Sequence, residues 1–258
     1  MQIIRTFVPD SLQNYNHLVV CPDTQQAAAV DPFDAKHLLS IAEEQGLTVS
    51  QIWITHEHGD HIKDLTELKA LTGADVYAPA ACQGRFEADV WLQDNVEVNL
   101  GHGALRHWLS PGHTPGHGIF LYQSTTRPED DFIVCGDIFF NAGVGNTYSG
   151  DTLQLFKTIY RLLPRISLTT RFFPGHDYLV TNLQFVLHHF PQCTAAQRAL
   201  DEVIEQTPDQ RNIKTLADEL KYNPFLALNA PWLTSNEKFD DLNNEQAFLE
   251  LRKLRNQW

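Results

Sequence analysis

Apolar residues fall in short runs through the first two-thirds of the chain and at helical spacing through the last third. Leu18-Val19-Val20 and Ala27-Ala28-Ala29-Val30 read as paired strands, the second stopped at Asp31-Pro32. Residues 36–45 have helical spacing, and Gly46 is placed to cap that helix. Gln51-Ile52-Trp53-Ile54-Thr55 is β-branched and aromatic, hence a strand, and strand-like runs recur at 106–109, 118–122, 131–135 and 170–173. After about residue 176 the character changes. Segments 182–190, 195–206 and 213–222 carry helix formers with apolar residues at i, i+3, i+4, as with Ala196, Leu200, Val203 and Ile204. A last helix is predicted from near Asn243, with Gln246 as capping-box partner, burying Phe248, Leu251, Leu254 and Trp258. The pattern therefore predicts an α/β domain over residues 1–175 and a helical domain over 176–258.

Composition changes this picture little. The 258 residues are 43% hydrophobic and 20% charged, as in ordinary globular proteins. No period or low-complexity stretch suggests repeats. No run approaches the roughly 18 consecutive apolar residues of a membrane span. The first ten residues lack a basic start followed by an apolar stretch, so a secretory signal is not expected. Cys21, Cys82, Cys135 and Cys193 lie far apart without a C-x-x-C pair, which argues against a disulfide framework and for reduced thiols in the cytoplasm. A formal charge of -13 sets nucleic acid aside as a partner, because counterion release needs Lys/Arg clusters. A small anionic substrate is compatible with that charge, since bound cations reverse the local field. Nothing demands more than a monomer.

The candidate chemistry sits directly after the strand at Gln51–Thr55. His56-x-His58-x-Asp60-His61 offers four metal-ligating groups within six residues. Such a run would arise by chance in roughly 0.002 of chains of this composition. Extended backbone puts His56, His58 and Asp60 on one side and His61 elsewhere, which suits two adjacent ions better than one. Further ligands are needed once positions are left for water and substrate. Three later segments run from a strand to glycine to a ligand-type residue: Ser110-Pro111-Gly112-His113, Val134-Cys135-Gly136-Asp137 and Phe173-Pro174-Gly175-His176. Glycine there permits a sharp turn and a close approach. His117 cannot join His113 in helical i, i+4 geometry across Pro115-Gly116, and an orienting role is expected of it at most. His17, His37, His102, His107, His188 and His189 read as surface or satisfied core residues.

With these residues in place, the chain resembles the metallo-β-lactamase superfamily, whose signature is T-H-x-H-x-D-H followed by a separated His, Asp and His. The resemblance implies a four-layer αββα sandwich with the site at one edge of two packed sheets. It also implies one ion on His56, His58 and His113, another on Asp60, His61 and His176, and Asp137 bridging them. Within the superfamily the chain most resembles the glyoxalase II (hydroxyacylglutathione hydrolase) family. The similar segments are Pro111-Gly112-His113-Thr114-Pro115-Gly116-His117, Cys135-Gly136-Asp137-Ile138-Phe139, the glycine-rich stretch 142–150, Gly175-His176-Asp177-Tyr178 with Asn182-Leu183, and a helical tail containing Asn223-Pro224-Phe225 and Leu251-Arg252-Lys253-Leu254-Arg255.

That family implies hydrolysis of S-(2-hydroxyacyl)glutathione, typically S-D-lactoylglutathione to D-lactate and glutathione in methylglyoxal detoxification. A metal-bridging hydroxide would be the nucleophile, with Asp60 able to orient it. Tyr148, Tyr178, Asn182, Arg252 and Arg255 would contact the glutathione moiety; a guanidinium fork suits a carboxylate. The chain departs from the family pattern at Asn146, usually Lys or Arg, at Arg255 and Asn256, usually Lys and Asp, and at Ala227, where arginine is common. Zinc suits the ligand set, which also accommodates iron or manganese. The alternatives are another hydrolase of this fold acting on a lactone or other ester, and a mononuclear iron persulfide dioxygenase.

Overall fold

The computed structural model describes residues 1–258. Its first sheet holds β1 (Gln2–Phe7), β2 (Tyr15–Cys21), β3 (Gln26–Val30), β4 (Thr48–Trp53), β5 (Asp75–Pro79) and β6 (Val90–Leu92), in that order. Pairing is antiparallel from β1 to β3 and parallel from β3 to β6. The second sheet is built from β7 (Val96–Leu100), β8 (Gly103–Leu109), β9 (Gly118–Tyr122) and β10 (Phe132–Gly136). A short hairpin follows, β11 (Phe139–Phe140) with β12 (Gly143–Val144), and β13 (Arg171–Pro174) then joins the second sheet beside β10. Helices α1 (Ala35–Glu44) and α2 (Leu65–Thr72) belong to the first half. The second half supplies α3 (Thr152–Leu162), α4 (Leu179–His189), α5 (Thr194–Val203), α6 (Leu216–Tyr222), α7 (Pro231–Thr234) and α8 (Asn244–Gln257).

Period-2 alternation on the strands divides the apolar residues among three cores. Leu18 and Val20 of β2 pack with Ile52, Leu38 and Leu68 beneath α1 and α2, while Val19 and Cys21 point the other way. They meet Phe120, Phe132 and Val134 of the second sheet, and Trp53 stacks on Phe120 with centroids 4.7 Å apart. Ile133 and Cys135 of β10 face outward onto α3, α4 and α8. The layers are thus helix, sheet, sheet, helix, an α/β sandwich as expected. No boundary at residue 175 divides the third core: Ile119 and Ile133 of the second sheet share one cluster with Leu183, Val203 and Phe248.

Several local outcomes differ from the pattern reading. The helix expected over 213–222 begins at Leu216, because Thr215 and Asp218 form a capping box and the preceding residues pair with β13, Phe172 N–H donating to Lys214 O. Trp258, expected to be buried, is 48% exposed beyond the end of α8. The pattern reading includes neither helices α2, α3 and α7 nor strands β1, β5, β6, β7, β11 and β12, although α3 buries Leu155, Ile159 and Leu162 at i, i+4, i+7 spacing. The capping box of Asn243 with Gln246 is present as predicted.

Topology decides where chemistry can sit. Strands β8, β10 and β13 run in the same direction, as do β3 and β4, so five strand ends open at one edge of the sandwich. The segments beginning at Asp31, Thr55, Ser110, Asp137 and Gly175 leave from those ends.

Candidate metal centre

Four imidazoles and a carboxylate converge where β4, β8, β10 and β13 end, and His58 and Asp60 complete the cluster. Ligand atoms of His56, His58, His113 and Asp137 lie within 4.8 Å of one another, as do those of Asp60, His61 and His176. Asp137 also reaches the second set: its Oδ2 is 3.4 Å from His113 Nε2 and 3.3 Å from His176 Nε2, and its Oδ1 is 3.4 Å from His61 Nε2. All seven residues singled out in the sequence as ligands therefore come together. Two glycines make the approach possible. Gly112 has φ of 144°, and a Cβ there would lie 2.4 Å from the Leu155 Cα on α3. A Cβ on Gly175 would lie 2.5 Å from Asp137 Oδ1.

Hydrogen bonds on the far side of each ring fix which nitrogen faces inward. His113 Nδ1 meets Asn146 O at 2.7 Å and His176 Nδ1 meets Leu12 O at 2.9 Å, so both must be N–H donors and both Nε2 atoms turn lone pairs into the site. His61 Nδ1 donates to Asp31 Oδ2 at 2.8 Å. Asp31 also accepts from Thr55 N–H at 2.7 Å and Thr55 Oγ1 at 2.6 Å, and that hydroxyl stands 3.0 Å from His56 Nδ1. His58 is the exception, directing Nδ1 inward and Nε2 to Ser149 Oγ at 2.9 Å. Asp60 Oδ2 accepts from Asn14 Nδ2 at 3.1 Å.

The donor set fits divalent cations. Lone pairs on His61 Nε2 and His176 Nε2 face each other at 3.2 Å, and the buried Asp137 Oδ1 has no hydrogen-bond partner. Such an arrangement is repulsive without positive charge between the groups. Neighbouring donors on a tetrahedral zinc at Zn–N of about 2.0–2.1 Å stand about 3.3 Å apart, and the spacings here run from 3.0 to 3.4 Å. The electrostatics agree. Burial raises the Asp137 carboxyl, but His176 and His61 override it and hold it well below the usual range. Burial likewise opposes charge on His61, yet Asp137 and Asp31 raise it well above its ordinary value. The carboxylates draw positive charge to this point.

His117, for which an orienting role was the most expected, lies fully buried behind Asp137. Its Nε2 accepts the Asp137 N–H at 2.9 Å and its Nδ1 meets Ser110 Oγ at 2.7 Å. Burial and the neighbouring His113 hold it well below its ordinary value, so it stays neutral and can accept. Asp31, Asn14, Thr55 and Ser149 were missed by the sequence reading. Nothing in Val30-Asp31-Pro32 distinguishes a strand stop from a histidine-orienting carboxylate.

Beside the cluster lies a pocket of about 150 Å³ lined by Phe140, Val144, Asn146, Tyr148, Tyr178, Asn182, Arg252 and Arg255. It gathers all five residues singled out as substrate contacts. Tyr178 stacks on His176, centroids 5.0 Å apart and planes 4° from parallel, which joins the pocket to the metal-ligating cluster. Arg252 Nη1 donates to Val144 O and Gly145 O, both at 3.0 Å, and Arg255 Nε donates to Asn182 Oδ1 at 3.1 Å. Neither arginine pairs with a carboxylate. Burial, then the charge of Arg255, lowers the Arg252 guanidinium to about 9. Two cations in one pocket, compensated only by neutral acceptors, make a site for an anion. Tyr148, 76% exposed, stands at its rim.

Comparison with known proteins agrees with this geometry. Residues 21–184 match the metallo-beta-lactamase superfamily, and residues 177–258 match the hydroxyacylglutathione hydrolase C-terminus. The chain is 35% identical to a hydroxyacylglutathione hydrolase of Nitrosococcus oceani with 100% of both chains covered. It is 30% identical to one of Francisella tularensis subsp. novicida with 99% of both covered. Among solved structures, ETHE1 from Myxococcus xanthus shares the fold with a TM-score of 0.68 at 23% identity, covering 99% of this chain and 98% of that one. TTHA1623, solved in a di-iron-bound form, has a TM-score of 0.59 at 23% identity over 86% of this chain and 99% of its own.

Proposed function

The chain belongs to the metallo-β-lactamase superfamily and, within it, to the hydroxyacylglutathione hydrolases, and on that premise we propose that it is a dinuclear thioesterase cleaving S-(2-hydroxyacyl)glutathione, typically S-D-lactoylglutathione, to the 2-hydroxy acid and glutathione. His56, His58 and His113 would hold one ion, Asp60, His61 and His176 the other, and Asp137 both. Divalent ions there supply a lowered water pKa and a polarised thioester carbonyl. Zinc suits the donor spacing, and the same imidazoles and carboxylates accept iron or manganese.

The protein's own groups then do the positioning. Asp60, anchored by Asn14, orients the attacking water. Arg252 and Arg255 bind a carboxylate of the tripeptide, and Asn182 and Tyr148 line its path. Tyr178, stacked on His176, brings the sulfur end of the thiol carrier to the ligand cluster. A thiolate is a weak base, so its departure needs no strong general acid. In this reading the strand ends, His176 included, carry the chemistry, and the helices after it, with the 140–148 segment, select the thiol. No helix is long and apolar enough to cross a membrane. Four buried, unpaired cysteines suit a reducing compartment such as the cytoplasm.

The observation that carries the proposal is the pair of carboxylate-free arginines in a pocket adjoining His176. Metal analysis beside hydrolysis of S-D-lactoylglutathione, a lactone and a β-lactam tests it. Two ions per chain and preferential thioester turnover are expected. A single ion, or turnover of the lactone alone, sinks it.

A further inference from the structure

Glu219 on α6 lies outside the ligand cluster and the pocket lining, yet it is fully buried and makes no ion pair. Its Oε1 accepts from Asn141 Nδ2 at 3.0 Å and Tyr222 OH at 3.2 Å. Its Oε2 accepts from Ala142 N–H at 2.8 Å and Asn223 Nδ2 at 2.9 Å. Burying a carboxylate without a cation is costly unless its lone pairs are all used. Here four neutral donors use them. Burial still pushes the carboxyl up to about 7, against the pull of those donors.

Tyr222 and Asn223 stand at the end of α6 itself, while the other two bonds reach the tip of the β11–β12 hairpin. Asn141 and Ala142 are its turn residues, and Ala142 has φ of 56°, a left-handed conformation that a non-glycine residue holds only under constraint. Asn223, fixed by Glu219, also donates to Gly143 O at 3.0 Å. From this hairpin run the supports of both pocket arginines. Val144 O and Gly145 O hold Arg252, while Asn141 O accepts from Asn182 Nδ2 at 2.9 Å, and the same Asn182 amide holds Arg255.

We infer that Glu219 is a positioning residue for thiol-carrier recognition: its carboxylate fixes the 141–145 turn, and the turn fixes the two arginines. A glutamine cannot substitute, because its NH2 would face two of the four donors. The inference rests on the pocket being the glutathione site, and its test separates the two readings. Steady-state kinetics are measured with S-D-lactoylglutathione and with the same acyl group on N-acetylcysteamine, which lacks the carboxylates.

For Glu219→Gln, KM for the glutathione thioester is expected to rise about tenfold. Turnover, bound metal and KM for the truncated thioester should stay within twofold. Asn141→Ala, which removes one tie from the partly exposed side, should give a smaller shift of the same kind, and it decides the matter should the glutamine variant not fold. An unchanged KM in the variants, or equal losses on both substrates, overturns the positioning role. If the unsubstituted enzyme handles both thioesters with the same KM, the glutathione reading of the pocket fails instead.

Discussion

Replacing Asp31 by asparagine tests how far the ligand cluster depends on a residue that touches no substrate. Asp31 Oδ2 accepts from His61 Nδ1 at 2.8 Å and Thr55 Oγ1 at 2.6 Å, while Oδ1 takes the Thr55 N–H at 2.7 Å. In the asparagine variant the NH2 must face either the Thr55 N–H or the pair formed by His61 and the Thr55 hydroxyl. The first choice opposes two donors. The second turns His61 Nδ1 into an acceptor and moves its proton to Nε2, the atom directed at Asp60, Asp137 and His176. Losing an outer partner of a ligating histidine costs about 10–100-fold in metal affinity, or about 1.4–2.7 kcal/mol. The loss should fall on the Asp60, His61 and His176 set. His56 depends on Asp31 only through the Thr55 hydroxyl at 3.0 Å and should be less affected. Competitive chelator titration yields two stepwise metal constants for each protein. One equivalent should remain tight in Asp31→Asn while the other weakens by at least tenfold. Equal weakening of both equivalents, or of neither, would refute the argument.

Arg255→Ala removes a guanidinium whose only internal bond is to Asn182, so KM for S-D-lactoylglutathione should rise about tenfold or more with turnover little changed; a matching fall in turnover would assign the residue to the chemical step. Gly175→Ala introduces a methyl 2.5 Å from Asp137 Oδ1 and 2.7 Å from His61 Cε1, and purified protein should carry less than two equivalents of metal. Glu219 is raised from 4.5 to about 7 in the folded chain, so the stability it contributes is fully present below pH of about 4.5 and lost as pH rises through about 7. At 1.36 kcal/mol per unit this is about 3 kcal/mol as an upper bound; Glu219→Gln should compare least favourably with the natural chain near pH 5 and improve relative to it by pH 8 in denaturant titrations.

The ligand cluster was legible because its chemistry is local. His56, His58, Asp60 and His61 lie in six residues, and each remaining ligand follows a strand and a glycine, so the sequence carries both the donor and the turn that presents it. The residues behind the ligands were not legible. Asp31 becomes an orienting carboxylate only because β3 and β4 are parallel and end together, a pairing that sequence separation hides. Glu219 reads as one of several acids on an amphipathic segment, and only the packing of α6 on the hairpin buries it. The helix boundary at Thr215 shifted for a related reason: Lys214 serves the edge of β13, and tertiary pairing overrides helical propensity there. Trp258 had the residue type of a core position, but α8 ends before turning it inward.

The third core has a consequence for how this chain can acquire a new substrate. Ile133 on the second sheet, which carries Asp137 at its end, and Leu183, Phe248 and Leu251 on the helices bearing Asn182, Arg252 and Arg255, belong to one apolar cluster. A recognition tail exchanged wholesale would have to match the outer face of β9 and β10 side chain by side chain before it bound anything. Retargeting is far less demanding at Asn146, Tyr148 and Arg255, which line the pocket without belonging to that cluster. Variety in the thiol carrier should therefore arise by point substitution around an inherited scaffold, the tail and the ligand-bearing sheet descending together as one piece.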